Sequence, residues 1–319
     1  MIGTLGIDTS NYTTSAAVYS PELEKPIAVG RLLSVASGGC GLRQSDAVFA
    51  HVKNLPEIVS AAMAQFSGEL VAIGVSARPR DVDGSYMPCF LTGIAAASSV
   101  AAAMRLPLYE CSHQANHVAA AAYASGNPRL LERPFLAWHL SGGTSELLYV
   151  QPDDAAIIRC ERIGGTSDLA AGQVIDRSGV MLGLNFPCGK ALDALSLTVE
   201  SPLKPAKLSV KGLEMSLSGL ENKSKALVEK GEEPAKIARF VLETVLSSVV
   251  RVTEAAFEIY GKLPVLCAGG VMCNTIIRRE MEARFGASFA DAIYSADNAS
   301  GTAVLTYLRH KRAEESHGN

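Results

Sequence analysis

Residues 5–19 read LGIDTSNYTTSAAVY, and this stretch decides the fold. Apolar residues 5–8 and 15–19 enclose the polar turn 9–14, a pattern that predicts two antiparallel strands. Residues 135–150, FLAWHLSGGTSELLYV, repeat the arrangement around the turn Ser141-Gly142-Gly143-Thr144. Hydroxyls and backbone N–H groups in such turns can cradle phosphate oxygens. One such turn alone is more often an ordinary hairpin, so its recurrence in both halves is what favours a ligand-binding function.

Both halves continue from this hairpin with strands and helices in a similar order. In the first half we predict strands at 27–35, 71–77 and 106–111, and helices at 46–66, from about 93, and at 113–124. After residue 128 we predict strands at 155–163, 264–268 and 288–294, and helices at 168–182, 190–199, 234–260, 274–285 and about 298–312. The repeated pattern predicts an α/β fold made of a duplicated ribonuclease-H-like unit.

A chain of 319 residues is long enough to split into two hydrophobic cores. The turn Gly126-Asn127-Pro128 is the predicted boundary. We therefore expect a first lobe at 1–127 and a second lobe at 128–319, with the final helix packing back on the first lobe.

Composition excludes several classes of protein. The net charge of −3 and pI near 6.1 provide no general attraction to nucleic acid, so an RNA partner needs a local basic patch or a helper protein. Seven cysteines without a C-x-x-C pair fit neither a disulfide framework nor a cysteine zinc site. The apolar run 90–104 is too short to span a membrane and predicts a buried helix. A cytoplasmic protein without a membrane partner is expected.

His113 and His117 form the sharpest local pattern. An i, i+4 spacing places both imidazoles on one helix face, where two neutral nitrogens can share a metal ion. A zincin protease is excluded because Gln114 stands where H-E-x-x-H requires glutamate. We predict Asp297 as the third ligand. The competing interpretation is a solvated helix face that binds nothing.

A third turn, residues 268–274, lies between a predicted strand and a helix N-terminus. Gly270 there would let the backbone approach a ligand, and the helix end favours an anion. Together with the two hairpin turns it predicts an adenine nucleotide whose phosphates contact Ser10 and Gly142. A Gly-Gly pair also serves simple strand-to-helix packing, so this turn alone is weak evidence.

Eight segments in one order resemble a known family and span nearly the whole chain. They are GIDTS (6–10), HQANH (113–117), LSGG (140–143), the pair Asp168 and Asp176, FPCG (186–189), SLSGL (216–220), GGVMCN (269–274) and Asp297-Asn298-Ala299. The chain resembles the Kae1/TsaD/Gcp family of tRNA threonylcarbamoyladenosine transferases. The resemblance implies the two-lobed fold of actin, Hsp70 and sugar kinases, known as ASKHA. It also implies transfer of a threonylcarbamoyl group from threonylcarbamoyl-adenylate to N6 of the adenosine next to the tRNA anticodon.

The same resemblance implies roles for particular residues. One iron or zinc ion would be held by His113, His117 and Asp297, which would act in catalysis through the metal. The adenylate site would be lined by Leu140, Ser141, Gly142, Gly143, Thr144, Asp176, Gly189 and Asn274. Partners implied are tRNA and a second ASKHA subunit with an ATPase, and a homodimer is the alternative assembly.

The sequence departs from the family near the expected acceptor. Tyr12 and Thr13 stand where the family usually has an acidic pair, and Thr144-Ser145 replaces a His-Thr pair. Arg78-Pro79-Arg80 replaces a glycine-rich loop. Three functions therefore stay open: carbamoyl transfer to tRNA, carbamoyl transfer to a small molecule or protein, and nucleotide binding without catalysis in a complex.

Overall fold

The structure is a computed structural model that describes residues 1–10, 12–34, 42–290 and 298–317. These residues form two compact units. Unit one comprises Met1–Arg133, Gln151–Cys160 and the described part of Ile293–Asn319. Unit two comprises Pro134–Val150 and the described part of Glu161–Ala292.

Twelve strands and nine helices lie in the described residues. The strands are β1 (Ile2–Asp8), β2 (Thr13–Tyr19), β3 (Ile27–Leu32), β4 (Glu69–Arg78), β5 (Leu108–Ser112), β6 (Phe135–Leu140), β7 (Ser145–Asp153), β8 (Ile157–Thr166), β9 (Val210–Lys211), β10 (Glu214–Met215), β11 (Val265–Ala268) and β12 (Ser288–Phe289). The helices are α1 (Gln44–Met63), α2 (Phe90–Met104), α3 (His113–Ala124), α4 (Ala171–Met181), α5 (Gly189–Ser196), α6 (Ser218–Glu229), α7 (Pro234–Tyr260), α8 (Thr275–Phe285) and α9 (Ser300–His317). Short 3₁₀ turns cover Pro128–Glu132 and Gly270–Cys273.

The two sheets have the same topology. The first sheet has the order β3-β2-β1-β4-β5, with β1 antiparallel to β2 and parallel to β4. In the second sheet the strands β8-β7-β6-β11-β12 repeat that order, with β6 antiparallel to β7 and parallel to β11. The small β9–β10 hairpin extends the second sheet beside β8. This repeated order confirms the predicted duplication of a ribonuclease-H-like unit.

Helix α9 packs on β1 and β4 and against α3 in unit one. The close approach depends on glycine, since a Cβ at Gly6 of β1 would collide with the backbone of Ala299 and Ala303. A Cβ at Gly301 of α9 would likewise collide with the backbone of Asn116 in α3. The small residues therefore bring the start of α9 to the carboxyl end of β1, where the site described below lies.

The 27-residue helix α7 forms the centre of the unit-two core. It packs with the inward faces of β6 and β11, and its Thr253 hydroxyl accepts a 2.9 Å hydrogen bond from the buried Trp138 indole N–H. This core supports β6 and thereby the turn that follows it. The predicted bounds of α7, 234–260, are confirmed.

Other predicted elements differ at their ends. Helix α4 begins at Ala171 instead of residue 168, because Asp168 accepts hydrogen bonds from the backbone N–H of Leu217 and Ser218 at the start of α6. Neither α6 nor the β9–β10 hairpin was predicted. The run 90–104 is confirmed as a helix, α2, with a buried face. No helix in the described part of the chain is both long and apolar enough to cross a membrane.

Candidate active site

The two predicted metal-binding histidines lie together at the start of α3. Ser112 caps this helix, because its Oγ accepts the Ala115 N–H at 3.0 Å. His113 is the first helical residue and His117 follows one turn later. Their Nε2 atoms are 2.9 Å apart and their ring centroids are 4.3 Å apart. The helix therefore directs one nitrogen of each ring to the same point.

Asp8, the last residue of β1, determines which nitrogen of His113 carries a proton. The carboxylate is fully buried, with Oδ2 2.8 Å from His113 Nδ1 and Oδ1 accepting the Ser10 N–H at 2.8 Å. Burial raises the pKa of Asp8, but the charge and hydrogen bond of His113 with other hydrogen bonds hold that pKa well below its ordinary value. An ionised carboxylate can only accept, so His113 Nδ1 donates to it. In the neutral ring, the form that can bind a metal, Nε2 then keeps its lone pair.

Asn116 is a site residue that the sequence reasoning missed. It lies between the two histidines in the sequence, and its side chain is fully buried. Its Nδ2 donates to Asp8 Oδ2 at 3.2 Å and to the Asn298 carbonyl at 2.7 Å, and its Oδ1 accepts the Thr302 N–H at 2.8 Å. The side chain thus joins α3, β1 and the start of α9. The sequence feature that could have identified Asn116 is a polar residue at the start of an alanine-rich helix.

The donor set fits a metal ion. Imidazole nitrogens bind zinc or iron at about 2.0–2.1 Å, so two Nε2 atoms 2.9 Å apart can contact one ion. A carboxylate on the other ring nitrogen is the usual partner of a ligating histidine. Among residues 1–10, 12–34, 42–290 and 298–317 no group of three or more His, Cys, Asp or Glu side chains forms a metal site. The predicted third ligand, Asp297, lies outside the described residues.

In the first hairpin turn, which joins β1 to β2, Thr9 and Ser10 are buried. The Thr9 hydroxyl donates to the Cys89 carbonyl at 2.9 Å and accepts the Gly93 N–H of α2 at 3.1 Å. Ser10 is 3% exposed, whereas Tyr12 is 39% exposed. The structure therefore places Ser10 beside Asp8 in unit one.

The second hairpin turn, residues 141–144, is open. Ser141 N–H donates to the Thr144 carbonyl at 2.8 Å, and Thr144 N–H donates to Ser141 Oγ at 3.1 Å. Gly142 and Gly143 are exposed, and a Cβ on either would meet no atom within 4 Å. Neither has a positive φ. Packing and backbone conformation therefore leave both positions free for a ligand.

Helix α4 lies directly against this second turn. Gly172 packs so closely that a Cβ there would collide with the backbone of Ser141 and Gly142. Ser145 Oγ accepts the Ala171 N–H at 2.8 Å. Leu140 is fully buried, so only its backbone can take part in binding.

Asp176 and Gly189 are brought together by a hydrogen bond between α4 and the next loop. Asp176 Oδ1 accepts the Cys188 N–H at 2.8 Å. Its Oδ2 has no hydrogen bond to any described residue. Gly189, exposed at the start of α5, has open space where a side chain would project. One carboxylate oxygen thus holds the loop while the other stays available.

Asn274 joins this group through Asp193, a residue that the sequence reasoning missed. Its Oδ1 caps α8 by accepting the Ile276 and Ile277 N–H groups, each at 3.1 Å. Its Nδ2 donates to Asp193 Oδ1 at 2.7 Å. Both ends of the Asn274 amide are therefore engaged within the protein. This arrangement assigns Asn274 a structural role: it positions the loop that carries Gly270.

The predicted site residues thus fall into two groups. Ser10, His113 and His117 lie together in unit one. The predicted nucleotide-binding residues lie together in unit two: Leu140, Ser141, Gly142, Gly143, Thr144, Asp176, Gly189, Gly270 and Asn274. The contacts described above link the members within each group.

Comparisons with solved structures confirm the fold. Component A of (R)-2-hydroxyglutaryl-CoA dehydratase from Acidaminococcus fermentans aligns with a TM-score of 0.56 at 15% identity, covering 98% of this chain and all of that protein. Full-length HypF aligns with a TM-score of 0.60 at 12% identity, covering 98% of this chain and 46% of HypF. At these identities the likeness shows the fold alone, which is the ASKHA fold of actin and Hsp70.

Comparisons of sequence identify the family. The sequence profile of TsaD, tRNA N6-adenosine threonylcarbamoyltransferase, matches residues 36–304. An enzyme of that name from Thermus thermophilus is 30% identical over 318 residues, covering 97% of this chain and 93% of the relative. That of Chloroherpeton thalassium is 28% identical over 335 residues, covering 97% and 92%. The chain belongs to the TsaD family of transferases, the tRNA N6-adenosine threonylcarbamoyltransferases.

Proposed function

We propose that this chain transfers a threonylcarbamoyl group from threonylcarbamoyl-adenylate to N6 of the adenosine next to the anticodon of tRNA. The observation that carries the proposal is the pair of imidazoles at the start of α3, with Asp8 on the far nitrogen of His113. Structural histidines on a solvated helix face would not need a buried, ionised carboxylate behind them. The relatives' name supplies the reaction class.

One iron or zinc ion would be held by His113, His117 and Asp297. When bound, the ion acts as a Lewis acid and stabilises the negative charge that develops as AMP leaves the donor. Asp8 keeps the His113 ring in the correct tautomer, and Asn116 holds Asp8 in place. Both residues position the ligands without touching the reacting group.

The adenylate would bind to unit two. The open backbone of Gly142 and Gly143 can approach phosphate oxygens, and Asp176 Oδ2 can accept a ribose hydroxyl. Gly189 and Gly270 offer further open backbone. Donor binding would thus use backbone groups and one carboxylate oxygen instead of cationic side chains.

Protein partners would supply the positively charged surface that binding to tRNA requires. The chain's net charge of −3 does not favour a polyanion. We expect a second ASKHA subunit and an ATPase to complete the tRNA-binding assembly, with a homodimer as the alternative.

Two measurements test the proposal. Nucleoside analysis of tRNA from a deletion strain should show loss of threonylcarbamoyladenosine, and complementation with the intact gene should restore it. Purified chain with threonylcarbamoyl-adenylate, tRNA and its partners should restore the modification in vitro, and His117→Ala should not. Unchanged tRNA in the deletion strain would reject the tRNA acceptor.

The exposed Tyr12 favours a second candidate, carbamoyl transfer to another acceptor. At this position an acidic side chain could orient an incoming amine, whereas the tyrosine phenol carries no carboxylate and adds bulk. If tRNA is the acceptor, Tyr12→Asp should keep or raise the transfer rate, with Tyr12→Phe as the control for ring bulk. Loss of transfer in Tyr12→Asp but not in Tyr12→Phe would indicate that the position is fitted to a different acceptor.

A further inference from the structure

A cleft of about 440 Å³ lies in unit two between α7, α8 and the chain segment that contains Pro205. Its volume is typical of sites that bind small molecules. Among the described residues, none that is proposed to bind the metal or the nucleotide lines this α7–α8 cleft. A ligand there would therefore be separate from the substrates of the transfer reaction.

The floor of the α7–α8 cleft is apolar. Leu246 and Val250 lie one turn apart on α7, and Ile276 lies in the first turn of α8. All three side chains are buried, and Ile276 is only 2% exposed. An apolar group that covers this floor would be favoured, because it removes hydrocarbon surface from water.

Four arginines and three glutamates also line the α7–α8 cleft, which gives it a net formal charge of +1. Arg239 Nε lies 2.6 Å from Glu243 Oε1. Glu280 is shared by two arginines, Arg279 at 3.5 Å and Arg284 at 3.3 Å. Two of the three carboxylates are thus neutralised inside the cleft, and α8 contributes one guanidinium in excess.

Arg251 is the arginine of the cleft that is bonded to a neutral group. Its Nη1 donates to the Leu208 carbonyl at 2.7 Å, and it forms no ion pair with a carboxylate of the described residues. The side chain is half-buried. A guanidinium has five N–H donors in a planar fork, so most of those of Arg251 remain available. The third glutamate, Glu254, is exposed, and water and salt screen its charge.

The wall that holds Arg251 is anchored to α7 by further contacts. Ala206 N–H donates to Thr244 Oγ1 at 2.9 Å, and the Leu208 side chain is buried in the core. Together with the hydrogen bond from Arg251, these contacts fix the segment 205–208 against the helix. A ligand would find this side of the cleft already ordered, which favours binding.

The carboxylates of the cleft limit the charge that a ligand can carry. A net charge of +1 is balanced by a single negative charge. A phosphate monoester carries about −1.5 to −2 at neutral pH, and the three glutamates would repel the additional charge. A carboxylate carries one charge and pairs with a guanidinium through two parallel hydrogen bonds.

We propose that the α7–α8 cleft binds a small monocarboxylic acid, with its carboxylate on Arg251 and its hydrocarbon part on the apolar floor. Arg279 and Arg284 contribute less, because their side chains are 65% and 54% exposed and exposed ion pairs are weak. This ligand differs from the adenylate donor in charge and in the groups that recognise it.

Methyl NMR of the intact chain, labelled at isoleucine, leucine and valine methyl groups, tests the proposal with hexanoate as the probe. Hexanoate should shift the Ile276 resonance, identified by its loss in Ile276→Val, with a Kd on the order of 1–10 mM for so small a ligand. The alcohol 1-hexanol, which lacks the carboxylate, should bind at least about fivefold more weakly. Inorganic phosphate at equal concentration should leave the resonance in place.

Substitutions of Arg251 test the anchor. Arg251→Gln should weaken hexanoate binding about tenfold or more, because hydrogen bonds between charged groups are lost. Arg251→Lys should keep part of the affinity, since it retains the charge and a donor for the Leu208 carbonyl but not the planar fork. Thermal unfolding of both variants verifies that they fold.

Arg278→Gln is the matched control. Arg278 also lies on α8, but its guanidinium lies 5.0 Å from the centre of the Phe289 ring, its Nε donates to Glu282 at 3.0 Å, and it does not line the cleft. This variant should bind hexanoate as the wild type does.

Four results would overturn the proposal. An unshifted Ile276 resonance would remove the ligand, and equal binding of hexanol or of both Arg251 variants would reduce the site to apolar contact. Preferential binding of phosphate would assign the cleft to a different anion. Displacement of hexanoate by AMP would place the carboxylate in the nucleotide site. The measurements need no tRNA, so their outcome is independent of the proposed transfer reaction.

Discussion

The two hairpin turns occupy equivalent places in duplicated sheets but differ in what surrounds them. In unit one, Thr9 and Ser10 are buried, and the carboxylate of Asp8 lies beside them. In unit two, Gly142 and Gly143 are exposed and have no neighbouring atom where a side chain would project. One topology has thus produced a turn whose first side chains are packed against their neighbours and a turn whose two central glycines leave the backbone open.

The difference has a physical consequence for what each turn can bind. In unit one the Thr9 hydroxyl is already engaged with the Cys89 carbonyl and the Gly93 N–H, so packing fixes the turn. Open backbone N–H groups can donate hydrogen bonds to an anion such as a phosphate. The equivalence of the turns in sequence therefore does not extend to their chemistry.

The largest expected effect concerns the histidine pair that Asp8 orients. His113→Ala should remove most of the one iron or zinc ion per chain expected by elemental analysis. Asp8→Asn should weaken metal affinity by about 10- to 100-fold, the usual cost of losing the carboxylate behind a ligating histidine. Chelator competition followed by calorimetry measures the second effect.

Asp168→Asn is the matched control for Asp8→Asn, because Asp168 is an ionised, hydrogen-bonded carboxylate in unit two. It should leave metal content unchanged. Full metal content in both His113→Ala and Asp8→Asn would show that the histidines form only a polar helix face. The proposed metal site beside the first turn would then be wrong.

Substitutions at two glycines test whether the backbone of the second turn binds the nucleotide. Gly142→Val should weaken AMP binding at least about tenfold by blocking backbone approach, with little change in thermal stability because no atom lies nearby. Gly172→Val should instead destabilise the protein by about 1–3 kcal/mol, or roughly 2–6 °C, since its Cβ would collide with the turn. Undiminished AMP binding in Gly142→Val would move the nucleotide to another part of the chain.

The smallest effect tests the electrostatics of unit two by pH. Burial raises the pKa of Asp168, but hydrogen bonds from Ser216, Leu217 and Ser218 outweigh it and hold that pKa well below its ordinary value. A depressed folded-state pKa stabilises the fold above the unfolded pKa of about 3.9 and less as pH falls below it. Asp168→Asn should therefore lower the unfolding temperature modestly at pH 7 and less at pH 3. An equal difference at both pH values would contradict this assignment.

Local pattern was enough to predict the hairpins, the duplicated α/β fold, the bounds of α3 and α7, and the i, i+4 histidine pair. Each depends on residues close in sequence, because strand alternation, helical spacing and turn residues act over a few positions. The same local information failed at the start of α4 and at α6, where Asp168 forms hydrogen bonds to residues about 50 positions away.

The partners of the site residues depended on contacts that no local pattern contains. Asp8 meets His113 across 105 residues, and Asn116 meets Thr302 across 186. The burial that distinguishes Ser10 from Gly142 likewise depends on which helix packs over each turn. By itself the sequence determined which groups were available and on which element each lies. Tertiary packing decided their protonation, charge and exposure, because those properties depend on the desolvation and hydrogen bonds that distant residues provide.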